Sequence, residues 1–95
     1  MRISATGLKV LKAFMYKTGS SLHGYELMQQ AEVASGTLYP LLMRFEEAGL
    51  LSSRWEQAEP DASGRPRRRL YQLTAVGQHT AMELLGNFRF APEAS

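Results

Sequence analysis

Residues 35–50 constrain the chain most, because they carry a helix start, two unlike faces and a stop. Ser35 is the expected N-cap, its hydroxyl placed to accept from free amides of the first turn, and Gly49 stands where a left-handed residue ends a helix. Leu38, Leu41, Leu42 and Phe45 recur at three- and four-residue spacing and form a stripe to be buried. Thr37, Pro40, Arg44 and Glu47 fall on the other side. Pro40 removes one helical hydrogen bond and disfavours helical geometry at Tyr39, so it must lie near the helix start. If Gly36 is the first helical residue, its carbonyl is the one that Pro40 leaves unsatisfied. A helix start with spare N–H donors and partial positive charge suits a phosphate at Ser35, Gly36 and Thr37.

The preceding segments fit around this helix. Residues 4–17 read as a first helix with Leu8, Leu11, Phe14 and Met15 on one side and Lys9, Lys12 and Tyr16 on the other. The lysines are either a solvated face or an approach to a DNA backbone or partner subunit. A turn at residues 18–21 offers Ser20 or Ser21 as cap for a second helix over residues 22–30, with Leu27, Met28 and Ala31 facing inward. The short connection through residues 31–34 then has about the length used in a helix-turn-helix.

After Leu50 the period changes. Leu51, Ser53 and Trp55 share one strand face, and Ser52, Arg54 and Glu56 the other. Residues 57–66 hold Pro60, Asp61, Ser63, Gly64 and Pro66, which is turn chemistry, and a returning strand over residues 67–73 completes a two-stranded wing. Tyr71 and Leu73 anchor it, and Trp55 covers its base by core or cross-strand packing. Thr74 is placed to cap a last helix over residues 75–88, with Ala81, Leu84, Leu85 and Phe88 as its apolar stripe and Gln78 and Glu83 outward. Residues 91–95 read as a disordered tail.

Arg65, Arg67, Arg68 and Arg69 place four guanidinium groups within five residues, with Arg54 near them on the preceding strand. Such a run is either a solvated strand edge, partly neutralised by Glu56, Glu59 and Asp61, or a set of phosphate contacts. Its place after Gly64 at a hairpin tip, beside a helix with a polar face, favours DNA. On that helix Thr37, Tyr39, Pro40 and Arg44 are the major-groove candidates, Arg44 for paired bonds to guanine and Thr37 for a thymine methyl. Pairing of Arg44 with Glu47 or with an acid of the preceding helix would remove it from that role, and Tyr39 at a helix start is alternatively half buried with only its hydroxyl outside.

Composition excludes several other classes. The sequence has 95 residues, 44% of them hydrophobic and 21% charged, enough for one folded domain with so small a core that a second copy would add useful burial. A net charge of +2 is too small to argue for nucleic acid by its total, so the distribution must carry that reading. No cysteine is present, and no apolar run approaches the ~18 residues of a membrane span, so the expected location is cytoplasmic with no membrane partner. His23 and His79 lie on separate expected helices and no serine sits in a nucleophile motif, so neither an enzyme nor a metal or other cofactor is expected. His23 reads as a surface or capping residue near the second helix start.

Residues 35–50, followed by Gly64-Arg65-Pro66-Arg67-Arg68-Arg69-Leu70-Tyr71-Gln72-Leu73-Thr74-Ala75-Val76-Gly77, resemble the PadR family of winged helix-turn-helix transcriptional regulators. Residues 22–27 are similar to that family's second helix, and the resemblance spans roughly residues 4–88. It implies an α+β, mainly α fold over residues 1–90, with a two-stranded wing and a C-terminal dimerisation helix. The implied function is a sequence-specific, double-stranded-DNA-binding homodimeric repressor. The site residues are then Ser35, Gly36, Thr37, Tyr39, Pro40, Arg44, Arg54, Gly64, Arg65, Arg67, Arg68 and Arg69 for DNA, and Leu8, Leu11, Met15, Ala81, Leu84, Leu85 and Phe88 for dimerisation. Two alternatives stay open: a sensor with a small aromatic effector between the subunits, as some PadR relatives bind phenolic acids or hydrophobic drugs, and a module that docks another protein.

Overall fold

A computed structural model describes residues 2–16, 21–57 and 67–93, with side chains of the last helix through residue 86. The elements run α1 (Ala5–Tyr16), β1 (Leu22–His23), α2 (Gly24–Ala31), α3 (Ser35–Glu47), β2 (Leu51–Trp55), β3 (Arg69–Leu73) and α4 (Ala75–Glu93). α1 packs on both α2 and α4, α2 packs on α3, and the strands close the domain beside α3. Val10, Leu11, Phe14, Leu27, Leu38, Leu42 and Phe45 form the centre of the core, joined by Leu22, Leu50, Leu51 and Ala81. The expected stripe of α3 is therefore inward, with Leu41 at its half-buried margin. No helix among the described residues is long and apolar enough to cross a membrane.

Helix ends explain most differences from the sequence reading. α3 begins one residue earlier than expected: Ala34 is the N-cap, without a side-chain bond, and Ser35 is the first helical residue rather than the cap. The other end follows expectation. Gly49 adopts φ 80°, the Leu50 amide donates to the Phe45 carbonyl at 2.8 Å, and the Gly49 amide donates to Glu46 at 3.0 Å. This paired closure satisfies carbonyls that a helix end otherwise leaves open.

α2 departs further. Leu22 and His23 do not open the helix; they form a short strand, with Leu22 opposite Tyr71 and His23 opposite Leu70. The sheet is accordingly three-stranded in the order β1-β3-β2, where two strands were expected. His23, read from the sequence as a surface or capping residue near this helix start, is the cap of α2, and Ser21 is not. Its Nδ1 accepts from the Glu26 amide at 3.3 Å, while Glu26 Oε1 accepts from the His23 amide at 3.2 Å. Ser20 lies outside the described residues.

β2 and β3 pair from Leu51 opposite Leu73 to Trp55 opposite Arg69. Thr74 caps α4, accepting from the Gly77 amide at 2.9 Å, as the sequence leads one to expect. α4 continues to residue 93, past the expected end at 88 and through most of the segment read as a tail. Gly77 sits so close to Leu50 that a Cβ would run into the Leu50 carbonyl oxygen, whereas a Cβ on Gly36 would meet open space. Gly77→Ala should therefore lower stability by about 1–3 kcal/mol through overpacking. Gly36→Ala should leave the urea midpoint unchanged or slightly raised, and equal midpoints for both variants would contradict this packing.

Candidate nucleic-acid interface

The polar face of α3 is exposed at Ser35, Gly36, Thr37, Tyr39, Pro40 and Arg44. Thr37 has no spare amide, because it donates to the Ala34 carbonyl at 3.0 Å, as Leu38 does at 2.9 Å. The expected phosphate seat at this helix start thus narrows to the amides of Ser35 and Gly36, for which no acceptor occurs among the described residues. On one flank, Gly36, Thr37, Pro40 and Arg44 share a depression of about 310 Å³ with Ser4 and Thr6 at the start of α1. Arg44 enters no ion pair among the described residues, so Glu47 does not hold it.

The other flank joins α3 to the wing. Tyr39, His23, Gly24, Tyr25 and Tyr71 line a cleft of about 260 Å³ with Arg67, Arg68 and Arg69. Tyr39 is 44% exposed. Its hydroxyl lies against Gly24, so closely that a side chain there would displace it. Tyr39 is thus only partly exposed, and its hydroxyl is turned inward to the start of α2 instead of standing outside as a half-buried tyrosine was expected to hold it. His23 and Tyr25 enter the site although the sequence pattern gave them no such role; only their place in residues 22–27, beside a helix start, signalled them.

The arginines divide into two kinds. Arg67 and Arg68 are exposed. Arg68 Nη1 stands 3.0 Å from His23 Nε2. The same ring has Nδ1 at 3.3 Å from the Glu26 amide and Nε2 at 3.3 Å from Glu26 Oε1, so Arg68, which can only donate, shares it with the start of α2. Arg54 instead donates to Ser21 Oγ at 3.1 Å, and Arg69 is half-buried, donating through Nε to Ser53 Oγ at 3.1 Å. Gly64 and Arg65 lie outside the described residues.

Trp55 is 56% exposed, so it packs across the strands rather than in the core, with the Arg69 guanidinium 4.9 Å above its ring. Burial raises the Tyr71 phenol above its ordinary pKa of 10.0; Arg69 opposes the shift, and Glu46 and Tyr39 add to it.

Of the expected dimer contacts, Leu11 and Ala81 are fully buried in the protomer's own core and leave nothing for a partner. Leu8, Met15, Leu84 and Leu85 are half-buried, and the Phe88 side chain lies outside the described residues. Met15 and Leu85 meet Lys12, Tyr16, Met82 and Gly86 around a cleft of about 360 Å³ between α1 and α4.

A family model described as the transcriptional regulator PadR-like family matches residues 10–83. A PadR-like transcription factor from Bacteroides fragilis has 26% identity and a TM-score of 0.73, with 94% of this chain and 87% of that chain covered. A PadR family transcription regulator from Clostridium difficile shares the fold at 23% identity and a TM-score of 0.77, covering 96% and 94% of the two chains. NadR, solved in complex with 4-hydroxyphenylacetate, has 25% identity and a TM-score of 0.66, but the match covers 90% of this chain and 54% of that one. No curated protein matches the sequence.

Above pH 10.0 an unfolded Tyr71 ionises while the folded residue keeps its proton, so the folded state binds more protons and stability falls as pH rises. Tyr71→Phe should remove that share of the alkaline loss. Urea midpoints below and above pH 10.0 check this, and an identical decline in both proteins would show that Tyr71 contributes none of it.

Proposed function

Because this chain belongs to the PadR-like family of transcriptional regulators, we propose that it binds an inverted-repeat duplex as a homodimer and represses transcription by excluding polymerase. The observation that carries this reading is the cleft in which Tyr39 joins the recognition helix to Arg67 and Arg68 of the wing, with Thr37, Pro40 and Arg44 exposed on the same helix. That arrangement offers base-reading side chains and phosphate-binding cations to one duplex face. Two copies of α3 would enter successive major grooves about 34 Å apart, with the arginines on flanking backbone or minor groove. α4 supports the dimer: its 19 residues span about 28 Å, and its half-buried Leu84 and Leu85 lie on the helix that packs on α1.

A second reading has its own support. The cleft formed by Met15, Tyr16, Met82 and Leu85 could admit a flat aromatic molecule, and a structural relative is known bound to 4-hydroxyphenylacetate. A thermal shift with that compound, followed by its release of the protein from DNA, would support effector control; no shift counts against this compound as effector.

The deciding experiment titrates the protein across a range of salt into duplex from upstream of its own gene and into scrambled duplex. Tight upstream binding that weakens steeply with salt is the expected result, and no binding to either at low salt would reject the DNA-binding reading. Charge reversal at Arg67 and Arg68 should weaken binding to all duplexes and flatten the salt dependence. Arg44→Ala should cost about 1–3 kcal/mol on the matched duplex and chiefly relax sequence preference. Equal losses on matched and scrambled DNA from both changes would refute that division of labour.

A further inference from the structure

Ser53 occupies a place that neither the charge pattern nor the DNA-reading face requires. It lies on β2, pairs across the ladder with Tyr71, and is half-buried. Its hydroxyl donates to Glu46 Oε2 of α3 at 2.6 Å and accepts from Arg69 Nε of β3 at 3.1 Å. Arg69 in turn has its guanidinium 4.9 Å from the ring centroid of Trp55, its cross-strand partner on β2. One hydroxyl therefore joins the recognition helix to both strands of the wing, between an anionic and a cationic group that form no direct ion pair.

We propose that Glu46, Ser53, Arg69 and Trp55 form a positioning relay that fixes the tilt of the wing against the recognition helix, and that Arg69 acts in DNA binding through this relay. This rests on the DNA-binding reading above and assigns Arg69 a different part from Arg67 and Arg68.

The Gly49 turn and the Leu51–Leu73 pair secure the base of the wing, and β1 holds β3 at Tyr71 and Leu70 on the side of α2. On the side of the recognition helix, the tie further out is the Ser53 hydroxyl with its bond to Glu46. Ser53 is two residues beyond Leu51, and Trp55 with Arg69 lies at the last described pair of the ladder. Arg67 and Arg68 follow immediately toward the tip, so the angle held by the relay sets where their guanidinium groups meet DNA. A wing already held at that angle loses less freedom on binding. The chemistry of Arg69 fits this part: its Nε proton is used by Ser53 while the same guanidinium sits over Trp55, a pairing that the point charge of a lysine cannot reproduce.

The test uses the full chain carrying Ser53→Ala, Ser53→Thr, Arg69→Lys or the Ser53→Ala/Arg69→Lys pair, and a duplex selected in vitro from a random pool. Ser53→Ala changes no charge, yet it should weaken binding about tenfold, the equivalent of about 1.4 kcal/mol, and should lower the salt dependence as the wing disengages. Ser53→Thr should restore both. Arg69→Lys should match Ser53→Ala, and the double variant should be no worse than either, because all break the same chain.

A second readout needs no DNA. Trp55 is the only tryptophan in the sequence, so acrylamide quenching of its emission reports the relay directly and should increase in Ser53→Ala while the thermal transition stays cooperative. Unchanged quenching overturns the relay whether or not DNA binds. Wild-type affinity and salt dependence in Ser53→Ala, or additive losses in the double variant, overturn its part in recognition while leaving the DNA-binding reading intact. Failure of the wild-type protein to bind any duplex overturns both.

Discussion

The fold depends on the contact between residues 49–50, at the end of α3, and residues 74–77, at the start of α4. The Thr74 amide donates to the Leu50 carbonyl at 3.0 Å, and its hydroxyl donates to the Gly49 carbonyl at 2.6 Å. The same hydroxyl oxygen accepts from the Gly77 amide. One side chain thus closes the end of one helix and opens another, satisfying groups that both ends would leave exposed. Gly77 permits the approach, since any larger residue would strike the Leu50 oxygen. The strand ladder begins beside this contact with Leu51 opposite Leu73. The base of the wing, the recognition helix and the last helix are consequently fixed to one another at a single place. If α4 pairs two copies, the same bonds set the spacing of their recognition helices.

Around that fixed centre, hydrogen bonding distinguishes charges that sequence alone makes look equivalent. The run of arginines is one basic block when read along the chain, but Arg69 is turned inward to Ser53 and Trp55 while Arg67 and Arg68 stay exposed. Strand alternation alone does not separate them, because Arg67 and Arg69 have the same parity. The difference comes from Glu46 and Ser53, which supply a path for Arg69 alone. Arg54 is likewise held, by Ser21.

Local signals made parts of this structure legible. The left-handed stop at Gly49 and the Thr74 cap are residue-specific solutions to helix ends, and the Leu38, Leu42 and Phe45 stripe has the period of its helix. Where an unusual residue does the same work, the signal is lost. α2 ends at Glu32 in a left-handed conformation, φ 55°, with none of the usual glycine or asparagine to announce it. α3 starts from Ala34, which has no capping oxygen, so the nearby hydroxyl of Ser35 drew the boundary one residue late. β1 has two residues, too few to show a period, and exists because β3 offers it an edge. The exposed DNA-facing candidates on α3 followed from helical spacing. The meeting of His23 with Arg68 spans 45 positions in the chain and carries no local pattern at all.

A net charge of only +2 makes placement matter more than quantity. A strongly basic domain can bind DNA in many poses because any face supplies phosphate contacts. Among the described residues Arg67 and Arg68 are exposed together on the wing and Arg44 on α3, so the favourable orientations are those that bring both elements to the duplex. Orientation must then be held by neutral contacts as well as by cations: the Tyr39 hydroxyl against Gly24, the Ser53 hydroxyl between α3 and the strands, and the Thr74 hydroxyl at the base. Each hydroxyl joins elements that are adjacent in space without adding charge that would attract DNA in another register. The specific recognition proposed for so modestly charged a protein would rest on rigid placement of a few cations, and these uncharged contacts are what would keep that placement.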